Sequence, residues 1–249
     1  MLKKNLYIVE NEFKQDKKPY VVCIGFFDGL HKIHNEIIEK TKEIAEEQNE
    51  AWSVITFSEK VTDYLNNVNN NIQSKVIKYK LIESRFNPNY LFEIQVNEST
   101  TKKTKEEFIN YLKNTLCVQK IVVGSDFKFG FKGLGTVEDL KEAFGEENVI
   151  IFERDLHYST TELKELLENG QVEVLNQRIG TNFKLFAKKN PFDGDESFGV
   201  IDMYSKIQNG NYEVLVDGTK RIAQFENNKI FFKEFVVKPN IEIEMIKKL

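Results

Sequence analysis

Short apolar runs alternate with helix-patterned stretches through the first two-thirds of the chain, and this alternation limits the possible folds more than any other feature. YVVCI (20–24), AWSVITF (51–57), YLFEIQV (90–96), KIVVG (120–124) and NVIIFE (148–153) read as strands. Between them, IHNEIIEKTKEIAEEQ (33–48) repeats Ile33, Ile37, Ile38, Ile44 and Ala45 on one helical face. KVIKYKLIESRF (75–86) and VEDLKEAF (137–144) are also helical, and the polar tract NNVNNNIQSK (66–75) is a loop. Thr104 caps KEEFINYLKNTL (105–116) with Glu107 at the capping-box position, and Gly170 closes TTELKELLENG (160–170). Strands separated by helices in this way make an α/β fold: a parallel sheet covered by helices.

From about residue 181 the pattern changes. FKLFAKK, FGVIDMYSKI, NYEVLV, KRIAQF, KIFFKEF and IEIEMI are short extended runs. NG (209–210), DG (217–218) and NN (227–228) punctuate them and suit hairpin turns. The chain therefore divides into an α/β domain over 1–180 and a small antiparallel β domain over 181–249, with 188–199 as a loose connection.

The 249 residues include 41% apolar residues and 20 Phe, enough for a sizeable core, and carry a formal charge of −4. That balance argues against a nucleic-acid partner, which calls for clustered basic charge. No run approaches the roughly 20 apolar residues of a membrane span, and MLKKNLYIVENEF is too short in apolar residues for a signal peptide. Cys23 and Cys117 lie in apolar surroundings without metal-like spacing, as expected of reduced core thiols in a cytoplasmic protein.

Two of three histidines, His31 and His34, stand in GFFDGLHKIHNEII, directly after the first strong strand. In an open parallel sheet, ligands collect beyond the carboxyl ends of strands, and the following helix start attracts anions. Gly25 and Gly29 would let the backbone turn and approach a ligand closely. His31 and His34 would lie on one face of the helix's first turn, where an imidazole can donate to a phosphate. A shared metal is the weaker reading, since no carboxylate or cysteine stands at a familiar ligand spacing; His157 keeps it open, and histidines that are simply surface or capping residues are a third reading.

The surrounding residues add a resemblance. GFFDGLHKIH is similar to the G-N-F-D-G-V-H-x-G-H signature of bacterial FAD synthetases, the adenylyltransferase half of the bifunctional riboflavin kinase/FAD synthetase family. VVGSDFKFG (122–130) with Gly135 resembles that family's V-V-G-x-D-F-R-F-G-x-x-x-x-G. YSTTELKELLENG (158–170) resembles its I-S-S-T-x-I-R-x-x-L-x-x-G, and RIG (178–180) its closing L-G. The resemblance spans residues 20 to about 180 and implies a Rossmann-like nucleotidyltransferase that transfers AMP from ATP to FMN, giving FAD and pyrophosphate, with Mg²⁺ shared by the triphosphate. It implies small-molecule nucleotides as partners. His31, His34 and Lys164 would be catalytic; Gly25, Phe26, Asp28, Gly29, Ser159, Thr160 and Thr161 would hold ATP; Asp126, Phe127 and Phe129 would border FMN. Packing for the two phenylalanines and N-capping for the hydroxyl residues are equally natural readings.

The chain departs from the pattern at several points. Ile33 replaces a glycine between the histidines, Phe26 an asparagine, SEKV (58–61) a P-H-P sequence, Gly133 a common arginine, and Lys164 an arginine with its bidentate fork. Nothing between Arg178 and Leu249 resembles the kinase half's G-F-P-T-A-N, so riboflavin phosphorylation is not expected and the tail reads as a reduced remnant of that barrel. Three readings follow: an FAD synthetase, a catalytically impaired nucleotide- or flavin-binding relative, or a nucleotidyltransferase with a different acceptor.

Overall fold

Parallel pairing in the first part of the chain follows from strands buried on both faces, such as Val21–Ile24 and Trp52–Thr56. The computed structural model describes residues 2–6, 20–153, 159–191, 197–201, 203–204, 206–234 and 236–249; His157 lies outside them. The strands β1 (Leu2–Leu6), β2 (Tyr20–Ile24), β3 (Ala51–Phe57), β4 (Tyr90–Ile94), β5 (Val118–Gly124) and β6 (Val149–Phe152) form one parallel sheet. Their spatial order is β1-β4-β3-β2-β5-β6. The helices are α1 (Lys32–Gln48), α2 (Val61–Asn66), α3 (Lys75–Phe86), α4 (Glu98–Thr101), α5 (Lys105–Asn110) and α6 (Val137–Phe144). Then come α7 (Thr160–Glu168) and α8 (Val172–Ile179).

The remaining strands are β7 (Phe183–Lys189), β8 (Phe198–Ile201), β9 (Gly210–Val216), β10 (Thr219–Glu226), β11 (Lys229–Phe232) and β12 (Asn240–Lys248). They close into an antiparallel barrel in the order β10-β11-β8-β7-β12-β9, with β9 pairing β10. Alternation sets which side chains face inward: Phe183, Leu185 and Ala187 from β7, Tyr212, Val214 and Val216 from β9, and Ile241, Ile243 and Met245 from β12. Asp217-Gly218 and Asn227-Asn228 turn with positive φ throughout, which matches the right-handed twist of the flanking strands. Asn209-Gly210 makes no hairpin: β9 pairs with β10 and β12, and Gly210 opens β9 with Lys248 close to its α-carbon.

The chain forms two compact units that do not follow a single cut in the sequence. The first holds residues 1–27, 33–68 and 81–155; the second holds 28–32, 69–80 and 156–249. In the first, Val22, Ile24, Ile55, Phe92, Ile121 and Val123 from the sheet meet Phe108, Leu112 and Leu116 from the α5 region. Thr104 and Glu107 complete the expected reciprocal cap of α5, which continues as a π-helical turn over Tyr111–Thr115. Burial pushes the Cys23 thiol up to about 12; Cys117 is only half-buried and adopts φ +53, so it is not the core residue its apolar neighbours suggested.

In the second unit, α8 seals the barrel. Its Leu175 and Ile179 join the barrel core, and Asn176 bridges three backbone groups. The Asn176 side-chain amide donates to the carbonyls of Met245 (2.9 Å) and Ile246 (3.2 Å), and its oxygen accepts from the Phe183 N–H at 2.7 Å. Asn176→Ala leaves these groups short of partners and should lower stability by about 1–3 kcal/mol, read as a drop in the urea midpoint. An unchanged midpoint would contradict this role for α8.

Candidate nucleotide site

The strand order reverses between β2 and β5, which pair in parallel, because the chain runs outward from β2 through β3 to β4 and then returns to place β5 on the other side of β2. A crevice beyond the carboxyl ends of such strands is where open α/β sheets take ligands. The loop after β2 begins with Gly25 and the loop after β5 with Gly124, so two of the three motif stretches leave the sheet at this reversal.

The backbone between β2 and α1 is strained. Phe27, Gly29 and Leu30 have φ of +53°, +80° and +42°, a region costly for the two side-chain-bearing residues. Both are buried, at 2% and 0% exposure. Each such burial is worth about 1.5–3 kcal/mol, comparable to the roughly 1–3 kcal/mol of strain at each residue, so the turn holds because its strained residues are also core residues.

In the first unit, the Phe27 ring fills the space beside Gly25, where a Cβ would meet it at 2.9 Å. The same ring stands edge-on to His34, with centroids 5.4 Å apart and an interplanar angle of 87°. Gly25 is therefore required for close approach; its φ lies outside the left-handed region. Phe26 is half-buried, its carbonyl accepting from Thr56 Oγ1 at 3.1 Å and its ring lying 5.2 Å below Lys60 Nζ. α1 begins at Lys32, so His31 stands just before the helix and His34 in its first turn, rather than both within it. His31 is buried, while His34 and Ile33 are half-buried.

In the loop after β5, Asp126 is exposed and Phe127 half-buried. Phe129 is buried, stacked on Phe127 at 5.7 Å and packed on Phe108 at 5.1 Å, with Gly135 against its ring. Gly133 has φ +66°, which disfavours the arginine common at this place in the resemblance.

In the second unit, Asp28 is 2% exposed and its carboxylate accepts from the N–H groups of Ile72 (3.0 and 3.1 Å) and Gln73 (3.2 Å). Gly29 packs against α7 and the same loop: a Cβ there would lie 2.8 Å from Leu163 Cδ1 and 3.0 Å from Ile72 Cγ2. Residues 28–29 and the helix carrying Lys164 are thus brought together. Ser159 caps α7, its Oγ accepting from the Glu162 N–H at 3.2 Å, with Thr160 and Thr161 in the first turn. Lys164 Nζ lies 4.8 Å from the centroid of the Tyr204 ring. Phe27, Leu30, Ile72 and Tyr204 were not singled out from the sequence. Phe27 and Leu30 could have been suspected as apolar residues flanking a tight glycine turn; the others are distant partners with no local signal.

The FAD synthetase family model matches residues 13–162. The chain belongs to the FAD synthetase family. Among similar proteins, the bifunctional riboflavin kinase/FMN adenylyltransferase of Bacillus subtilis is 28% identical over 194 residues, covering 74% of this chain and 60% of that protein. The protein of the same description from Buchnera aphidicola subsp. Schizaphis graminum is 28% identical over 177 residues, covering 66% and 55%. A protein named FAD synthetase from Listeria monocytogenes is 27% identical over 177 residues, covering 67% and 70%. The matched stretch thus spans little more than half of the two bifunctional relatives. A crystal structure titled macrolide-efflux protein, from Streptococcus pneumoniae, shares the fold of this member of the family with a TM-score of 0.78 at 19% identity, covering 100% of this chain and 91% of that one. Among the described residues no helix is long and apolar enough to cross a membrane.

Gly29→Ala and Gly218→Ala separate crowding from strain, since both glycines have φ near +80° but Gly218 faces open space. Gly29→Ala should cost about 1–3 kcal/mol more in a denaturant titration. Equal losses would contradict the close packing of this turn on Leu163 and Ile72.

Proposed function

We propose that this chain is an FMN adenylyltransferase that makes FAD from FMN and ATP, residues 1–180 carrying the transfer and residues 181–249 being a kinase-derived barrel without riboflavin kinase activity. An oxygen of the FMN phosphate attacks the α-phosphorus of ATP. The new P–O bond forms as the bond to the bridging oxygen breaks, and pyrophosphate leaves with that electron pair. No covalent protein intermediate is needed; alignment and charge neutralisation lower the barrier.

In this reading the turn at Gly25, Asp28 and Gly29 lets the triphosphate approach the backbone, with Phe26 beside it. His31 and His34 donate N–H groups to phosphate oxygens, His34 to those that gain charge in the transition state. Ser159, Thr160 and Thr161 offer donors at the head of α7, and Lys164 neutralises departing pyrophosphate. Asp126 and Phe127 border the flavin, with Phe129 supporting Phe127 from the core. Mg²⁺ arrives with the triphosphate as part of the substrate and spreads its charge; among the described residues no cluster of three His, Cys, Asp or Glu could hold an ion by itself.

The observation that carries the reading is the coincidence, within a chain of the FAD synthetase family, of a strained histidine-bearing turn with the β2/β5 reversal of the sheet. Half-buried Ile33 and the Phe26–Lys60 contact favour the second reading, a nucleotide binder that no longer turns over.

Incubation with Mg·ATP and FMN, with FAD followed by chromatography, distinguishes them. The expected result is FAD formation that falls by about 10² or more in His34→Ala. ATP binding without turnover supports the impaired binder, turnover with another phosphate acceptor points to a different transferase, and FMN made from riboflavin contradicts the account of the barrel.

A further inference from the structure

We propose that Tyr204, in the segment joining β8 to β9 of the barrel, is a positioning residue for Lys164, so that the barrel supplies part of the AMP-transfer machinery. This inference rests on the function proposed above.

Lys164 sits one turn into α7 on a flexible four-carbon stem, and a lysine head group is a strongly hydrated point charge with no fixed geometry of its own. An arginine could hold itself on phosphate oxygens through its planar fork; a lysine in its place needs its position set from outside. The Tyr204 ring does this. Its centroid lies 4.8 Å from Lys164 Nζ, within the range where an ammonium is attracted to an aromatic face. Lys206 Nζ is farther from the same ring, at 5.9 Å.

Tyr204 is itself held at both ends. Its backbone N–H donates to the Asn71 carbonyl at 2.6 Å. Its hydroxyl donates to the Glu168 carboxylate, which lies four residues after Lys164 on the same helix. The ring therefore lies along α7 between Lys164 and Glu168. Burial and the Glu168 charge push the phenol up to about 12, so it remains a donor throughout the pH range of a neutral enzyme. Asn71 immediately precedes Ile72 and Gln73, whose N–H groups are taken by Asp28. Tyr204 thus ties three pieces of one unit together: the barrel connection, α7, and the loop that anchors the histidine-bearing turn.

A residue that merely stabilised the fold would act independently of Lys164, whereas a positioning residue acts through it. The test uses the full chain as wild type, Tyr204→Leu, Tyr204→Phe, Lys164→Met and the double variant Lys164→Met/Tyr204→Leu. FAD formation gives kcat and KM for ATP, and protein labelled with ¹³C at the lysine ε-carbon gives the Lys164 resonance, assigned by its loss in Lys164→Met. We expect Tyr204→Leu to lower kcat/KM about tenfold and to remove the ring-current shift of Lys164. Tyr204→Phe, which keeps the ring, should recover both to within about threefold and a small residual shift. The double variant should be no slower than Lys164→Met alone, because coupled residues do not add.

A Lys164 resonance that does not move in Tyr204→Leu overturns the inference, as does a double variant whose loss is the product of the two single losses. Should Tyr204→Leu fail to fold, Tyr204→Phe/Lys206→Gln keeps the ring with one cation fewer; a Lys164 resonance there without a ring-current shift overturns it equally. A wild-type protein with ring-shifted Lys164 but no FAD formation refutes the AMP-transfer function and the positioning role that depends on it, while leaving the contact itself established.

Discussion

The turn from β2 into α1 is the constraint on which the candidate site depends. Its left-handed residues Phe27 and Leu30 bring unfavourable backbone energy, and their burial offsets it. Phe27 then excludes any side chain at position 25 and meets His34 edge-on, while Gly29 admits Leu163 and Ile72 at near-contact distance. Asp28, between them, accepts from two backbone N–H groups of a loop 44 residues away. The segment has almost no exposed side chain before Lys32.

The sheet order gives this turn its chemical meaning. Since β5 returns to lie beside β2, the loops at Gly25 and Gly124 leave adjacent strands at the same edge. Helices and loops then decide what can bind there. The barrel, in contrast, is a closed object with its own alternating interior, sealed by α8 through Asn176. Its six strands close on one another, so among the described residues the barrel has no open sheet edge of the kind that promotes self-association.

Much of this was legible in the sequence because the signals are local. The bounds of β2, α6 and β7 follow the apolar periodicity residue for residue, the Thr104–Glu107 cap stands where its spacing requires, and Asp217-Gly218 and Asn227-Asn228 turn hairpins. The strand β1 and the short helices α2, α4 and α8 carry too little local signal to be read: α2 has no capping side chain at Lys60, α4 buries no residue, and α8 places only three buried residues on its inner face. FGVIDMYSKI has the pattern of one extended run, yet β8 spans Phe198–Ile201 and Tyr204 lies against Asn71 and α7. The candidate site residues stand out by motif, but the groups they contact do not. Nothing near Asp28 announces Ile72 and Gln73, and nothing near Lys164 announces Tyr204, because such contacts are made only by the folded chain.

Amide hydrogen exchange on the full chain, with and without Mg·ATP, tests the central claim most directly. If the triphosphate lodges at the turn beyond β2, exchange slows at residues 24–31 and in the loop over 124–130, and the barrel strands β7–β12 remain unchanged. Protection confined to the barrel, or none at either loop with ATP bound, would contradict it.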